Sequence, residues 1–243
     1  TRTTAFEDVL AADPDAAVVA TPIRTHYEYA RRLLEHDTPT FVEKPLTDDT
    51  ETAQRLAALS ARRGVPLFVG YVFVHHPVFE RLLQIHEETP FEHVRFDWHK
   101  FGGFREDVVA NLACHDLAMA YRLFGRPDSL ELSQAVEAPD CRNIASISAS
   151  FGDSSVRIEL NRLDRRKRKT VTAVTPGGDV YQWEDDELVR LSDDGDAYRT
   201  TFTADREPLR VEATRFLECL ETGRTPVTDG EFGAVITELF ADL

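Results

Sequence analysis

Two stretches of this chain carry residues that could do chemistry. In Thr40-Phe-Val-Glu-Lys-Pro-Leu46, a lysine follows a short apolar segment and precedes a helix start. That pattern reads as the carboxyl end of a buried parallel strand. An ammonium there is costly without a partner or a task, and open α/β sheets bind ligands beyond the carboxyl ends of their strands. Lys44 is thus the first candidate functional residue; a solvated strand-end lysine is the alternative. In the second stretch, residues 107–118, Asn111 and His115 lie four apart on one expected helix face. An amide can hold one ring nitrogen and fix the tautomer, leaving the other nitrogen to move a proton near neutral pH. A structural histidine with an i−4 neighbour is the alternative here. Asp116 points about 100° away around the helix.

The elements that would position these groups alternate. Asp15–Ala20 is a short apolar run before Thr21-Pro22, and His26–Glu35 has helical apolar spacing. Phe41-Val42 reads as a second strand, Thr47-Asp48-Asp49 as cap and first turn of a helix to about Arg63, and Leu67–Phe73 as a third strand. Strands joined by helical crossovers imply a parallel, Rossmann-type sheet over residues 1–72.

Beyond residue 73 the pattern changes. A helix from His76-Pro77 to about Glu88 leads into the alternating run Phe91–Phe101, and a helix follows from about Asp107 to Phe124. β-type runs then succeed one another: Ser129–Val136, Ile144–Phe151, Ser155–Leu163, Lys169–Val174 and Asp179–Trp183. Helices at about Pro208–Glu221 and Gly230–Leu243 close the chain. The expectation for 73–243 is an α+β domain with a largely antiparallel sheet.

Composition narrows the class. The 43 acidic and 28 basic residues give a formal charge of −15, which argues against nucleic acid or anionic membrane as partner and suggests a carboxylate-coated surface suited to a salt-rich cytoplasm. No apolar stretch reaches a membrane span, and residues 1–6 lack a signal-peptide core, so a cytoplasmic protein is expected. Cys114, Cys141 and Cys219 have no CxxC spacing, and no metal site is indicated.

Taken in order, Val18-Val-Ala-Thr-Pro22 with His26, Val42-Glu-Lys-Pro45, Val69-Gly-Tyr71, Pro77, Asn111-Leu-Ala-x-His-Asp116 and Phe124-Gly resemble the Gfo/Idh/MocA oxidoreductases. Each motif is loose; the ordered series is specific. The Asn-Leu-Ala-x-His-Asp form, with Leu163-Asp164 and Lys167, is most similar to members acting on sugars and nucleotide sugars. The resemblance implies NAD or NADP as cofactor, a small-molecule sugar or nucleotide-sugar substrate, and a homo-oligomer, dimer or tetramer. It places Lys44 between nicotinamide and substrate, with His115 as proton carrier and Asn111 as its partner. Thr21, Pro22, His26 and Glu43 would border the cofactor, while Tyr71 and Asp116 would line the substrate pocket.

Two departures stand out. Many members carry aspartate at the position of Asn111, and an amide does not stabilise an imidazolium as a carboxylate does. The family's opening strand with its Gly-x-Gly-x-x-Gly turn is also absent; Gly102-Gly103 and Gly177-Gly178 fall too far along the chain to replace it. The expectation is therefore a fragment of a larger enzyme, missing its first βαβ unit and the pyrophosphate site. A non-catalytic sugar- or protein-binding relative is the other reading.

Overall fold

A computed structural model describes residues 3–99, 107–137, 141–191 and 197–243. The chain forms two compact units: residues up to Tyr71 with Glu212–Ala241, and Val72–Val211 with the last two residues. Among the described residues no helix is long and apolar enough to cross a membrane.

The first unit is built on a parallel sheet in the order β1 (Ala17–Val19), β2 (Thr40–Glu43), β3 (Leu67–Gly70). Helix α1 (Phe6–Ala11) precedes it. Helix α2 (His26–Glu35) makes the first crossover, burying Ala30, Leu33 and Leu34 while Arg31 pairs outward with Glu28 and Glu35. Helix α3 (Thr50–Arg63) makes the second; the Asp49 side chain accepts from the Thr52 N–H, and Gly64 at φ 65° ends it. Strand β3 stops at Gly70, not at Phe73 as its apolar run suggested, and Val72–His75 form a 3-10 turn. The reason lies in its neighbour: β2 ends with Glu43 opposite Gly70, and Pro45 shortly after has no N–H to extend the ladder.

Two C-terminal helices also belong to this unit, whereas the sequence reading assigned them to the second domain. Helix α6 (Pro208–Thr222) sets Phe216 against Phe41 and Phe68, with ring centroids 5.6 and 5.7 Å away. Helix α7 (Gly230–Ala241) approaches so closely that a Cβ on Gly233 would come within 2.8 Å of Val69 Cγ2. Glycine permits that contact.

The second unit carries an eight-stranded sheet in the order β11-β10-β9-β8-β4-β7-β6-β5. Its strands are β4 (His93–His99), β5 (Ser129–Glu137), β6 (Arg142–Phe151), β7 (Ser154–Asn161), β8 (Arg168–Val174), β9 (Val180–Glu184), β10 (Glu187–Leu191) and β11 (Tyr198–Thr203). Every pairing is antiparallel except β4 with β7. Phe96, Ile147, Ile158 and Val171 are buried along one side of these strands. Helices α4 (Pro77–Glu88) and α5 (Cys114–Phe124) complete the unit. The last turn before α5, Val109–Ala113, is a π-helix, so the regular helix expected from Asp107 to Phe124 is interrupted just where Asn111 sits. The expected strand end at Lys100-Phe101 and Gly102-Gly103 lie outside the described residues.

Candidate active site

In the first unit the carboxyl ends of β1 and β2 gather the predicted cofactor residues around one buried imidazole. His26, 2% exposed, has Nδ1 3.1 Å from the Pro45 carbonyl oxygen and Nε2 2.8 Å from the Thr21 carbonyl oxygen. It ties the loop after β1 to the loop after β2. A carbonyl only accepts, so a neutral ring can donate to one of the two. Thr25 Oγ1 lies 2.8 Å from Thr21 Oγ1 and 2.7 Å from the Pro22 carbonyl oxygen, which fixes the loop that carries Thr21 and Pro22 at the surface. Lys44 is half-buried at the carboxyl end of β2; its backbone N–H donates to Glu43 Oε2 at 3.3 Å, and its peptide bond to Pro45 is cis. His26 is thus a fastener turned inward, while Thr21, Pro22 and Lys44 face outward or half-outward. Tyr71 is fully buried, its ring 5.7 Å from that of Phe232 in the core of this unit.

Sequence reasoning missed Glu212, which is 1% exposed on α6. Burial, aided by the nearby Glu43 carboxylate, pushes its carboxyl up to about 8 from an ordinary 4.5. Between those two values the folded state holds a proton that the unfolded chain has released. The stability it contributes is complete below pH 4.5 and is lost as pH rises through about 8. Glu212→Gln keeps the shape without the charge, so it should flatten this slope and melt higher than the parent at pH 8.5, by on the order of a few kcal/mol. Thermal melting of both proteins from pH 4.5 to 9 measures it; an identical slope would contradict the assignment.

The second unit builds a compact cluster around His115, which is 7% exposed. Its ring meets Phe73 edge-on at 5.1 Å between centroids and tilts against Trp98 at 5.4 Å. Over the same two rings lies Lys169 Nζ, 3.5 Å from the Phe73 centroid and 3.8 Å from that of Trp98. The ammonium also stands 3.1 Å from Asp116 Oδ1. Asp116 is fully buried. Burial pushes its carboxyl up, and the Lys169 charge offsets part of that rise. Asp116 is therefore an internal partner of Lys169 and not an open pocket wall. Lys169, Phe73 and Trp98 are the residues that sequence reasoning missed. No local signal marks them, since Trp98 and Lys169 come to face each other only through the pairing of β4 with β8.

Asn111, half-buried in the π turn, takes a backbone bond from its N–H to the Asp107 carbonyl and accepts the Cys114 thiol on its own carbonyl at 3.8 Å. Local π-helices recur at functional sites because they re-aim side chains that a regular helix would stack. Nearby, the buried His76 imidazole caps α4 by accepting from the Val78 N–H at 3.1 Å, and burial pushes it down to about 4.

The donor set in the first unit fits the nicotinamide end of NAD(P): an anchored threonine–proline loop and a lysine side by side at the carboxyl ends of two parallel strands. No Gly-x-Gly-x-x-Gly turn stands among the 243 residues to hold a pyrophosphate. A groove lined by Ser60, Thr225 and Asp229 opens at the amino end of β3, the opposite end from Lys44. Among the described residues no group of three His, Cys, Asp or Glu side chains could hold a metal ion.

Comparison with known proteins agrees with this arrangement. Residues 2–71 match the GFO_IDH_MocA family, described as an oxidoreductase family with an NAD-binding Rossmann fold. UDP-N-acetylglucosamine 3-dehydrogenase of Acidithiobacillus ferrooxidans is 32% identical over 120 residues, 49% of this chain and 38% of that protein. Inositol 2-dehydrogenase 1 of Mycolicibacterium vanbaalenii is 44% identical over 61 residues, 25% of this chain and 18% of that protein. The chain thus matches well under half the length of these relatives. In fold, the structure of the Acidithiobacillus enzyme superposes with a TM-score of 0.90 at 20% identity, covering 100% of this chain and 81% of that one. An inositol dehydrogenase homolog of Azotobacter vinelandii, complexed with NADH and myo-inositol, superposes at 0.81 with 15% identity, covering 97% of this chain and 78% of that one. The family match thus covers the first sheet, residues 2–71, and over the rest of the chain the likeness to these dehydrogenases is one of fold.

Proposed function

We propose that the chain is the substrate-handling part of an NAD(P)-dependent oxidoreductase that moves a hydride to or from the hydroxyl-bearing carbon of a sugar or nucleotide sugar. The observation that carries this reading is Lys44, half-buried at the end of β2 beside a loop that His26 fastens. Its ammonium positions the substrate hydroxyl and favours the alkoxide as charge develops. His115, held between Phe73 and Trp98, takes or returns the hydroxyl proton. Asn111 supports it from the π turn, and Thr21, Pro22 and Glu43 border the nicotinamide ribose. The nicotinamide, when bound, accepts or supplies the hydride. Tight dinucleotide binding calls for a glycine turn that these residues do not contain, and β1, at the edge of its sheet among the described residues, is where a neighbouring strand would pair. The same reading has the protein work as a homo-oligomer in a salt-rich cytoplasm, the support for the latter being a formal charge of −15.

The test is nicotinamide absorbance at 340 nm with a panel of sugars and nucleotide sugars. It is run on this chain and on the chain with a strand–Gly-x-Gly-x-x-Gly–helix segment joined ahead of Thr1. Substrate-dependent change in the joined protein is expected. Saturable cofactor binding with no turnover on any sugar would favour the non-catalytic reading.

A further inference from the structure

We propose that the turn Arg165-Arg-Lys-Arg168 in the second unit binds the phosphate groups of the substrate, which makes that substrate a phosphate or diphosphate ester of a sugar. This rests on the reading just given and narrows it. In a chain of formal charge −15, residues 165–169 are five consecutive cations. Six arginines elsewhere are occupied: Arg31, Arg63, Arg95, Arg142, Arg157 and Arg190 each meet a carboxylate at 2.5 to 2.8 Å. Arg165, Arg166, Lys167 and Arg168 are exposed, and none of the four side chains enters an ion pair among the described residues. The one acid of the turn is already committed. Asp164 accepts from the Arg166 N–H at 2.9 Å and from His99 Nδ1 at 2.8 Å.

Position supplies the second argument. Arg168 stands opposite His99 and Lys169 opposite Trp98 across β8 and β4. Successive side chains of a strand point to opposite faces and successive residues are about 3.3 Å apart, so the cationic turn begins one or two residues from the Lys169–Trp98–His115 cluster. A substrate that presents a hydroxyl to His115 can therefore carry its anionic end over the turn. Guanidinium groups bind phosphate oxygens in paired, charge-assisted bonds. A compact anion suits a cationic segment this short, whereas a long polyanion would meet the acidic surface around it.

Equilibrium dialysis with labelled UDP, on the chain as it stands and without cofactor, tests the proposal. The competitors are uridine, inorganic pyrophosphate, glucose 1-phosphate and a single-stranded oligonucleotide, in the lowest KCl at which circular dichroism shows a folded protein. UDP should bind at least about tenfold more tightly than uridine, and the variant R165Q/R166Q/K167Q/R168Q should lose about tenfold or more of that affinity. Added salt should weaken binding to the parent, and thermal melting should not change, because the four side chains are exposed. Displacement by pyrophosphate and glucose 1-phosphate would assign recognition to the phosphates themselves. Equal binding of UDP and uridine, undiminished binding by the variant, or tighter capture of the oligonucleotide than of UDP would overturn the proposal. Hydride transfer on free sugars without UDP binding would sink this inference alone. UDP binding without hydride transfer would sink only the oxidoreductase reading.

Discussion

Lys44→Met should leave the protein folded and remove roughly two to three orders of magnitude of turnover. The methionine keeps an unbranched apolar stem where the lysine is half-buried, so packing at the end of β2 survives. What disappears is the ammonium. Losing one charge-stabilising donor at a developing oxyanion costs about 2.7–4 kcal/mol of barrier, and the same scale applies here. Lys44→Arg should fail as well: guanidinium keeps the charge, yet its planar fork is bulkier and does not present a compact point donor. A solvated strand-end lysine would tolerate arginine. Steady-state kinetics of both variants, with circular dichroism to show each is folded, separates the two cases; near-native turnover in Lys44→Arg would remove the lysine from the catalytic account.

The largest stability effect is expected at Lys169. Its ammonium stands 3.1 Å from Asp116, which is fully buried, and over the faces of Phe73 and Trp98. Lys169→Met keeps most of the stem and strands the carboxylate. Breaking a buried pair by removing one partner costs on the order of 3–5 kcal/mol at neutral pH. Protonation of Asp116 relieves part of the cost. Burial already raises its pKa in the folded state, and without Lys169 that rise grows. A carboxyl whose folded pKa is raised contributes stability that is present at low pH and lost as pH rises. The deficit should accordingly be small near pH 4 and large at pH 7. Lys169→Met combined with Asp116→Asn should recover much of it at pH 7. Urea unfolding of the parent, the single and the double variant at both pH values checks this; a deficit independent of pH would show that Lys169 acts through packing alone.

How much of this was legible in the sequence depends on the range of the interaction. The crossovers of the first sheet were readable because helix periodicity, the Asp49 cap and the Gly64 stop are local signals. Lys44 was readable for the same reason, since its strand and its proline are its immediate neighbours. The cluster around His115 was not, because Phe73, Trp98 and Lys169 meet only once β4 has paired with β8. Strands β10 and β11 escaped notice as well: the β9–β10 hairpin turns on Asp185 at φ 47° beside Asp186, with no glycine to mark it. The return of α7 to the first unit depends on close contact at Gly230 and Gly233, which composition shows only as two more glycines, and that of α6 on Phe216 meeting Phe41 and Phe68 from far along the chain. The π turn at 109–113 likewise left no periodic trace that distinguishes it from a regular helix.

The most direct test of the central claim is to separate binding from chemistry at His115. In the protein that turns over in the absorbance assay, His115→Ala is compared with the parent for turnover per folded molecule, cofactor dissociation constant and melting temperature. Turnover is predicted to fall by roughly 10²–10⁴-fold with the dissociation constant nearly unchanged. A lowered melting temperature with an intact rate per folded molecule would instead make His115 a core residue wedged between Phe73 and Trp98, and would contradict its role as the proton carrier.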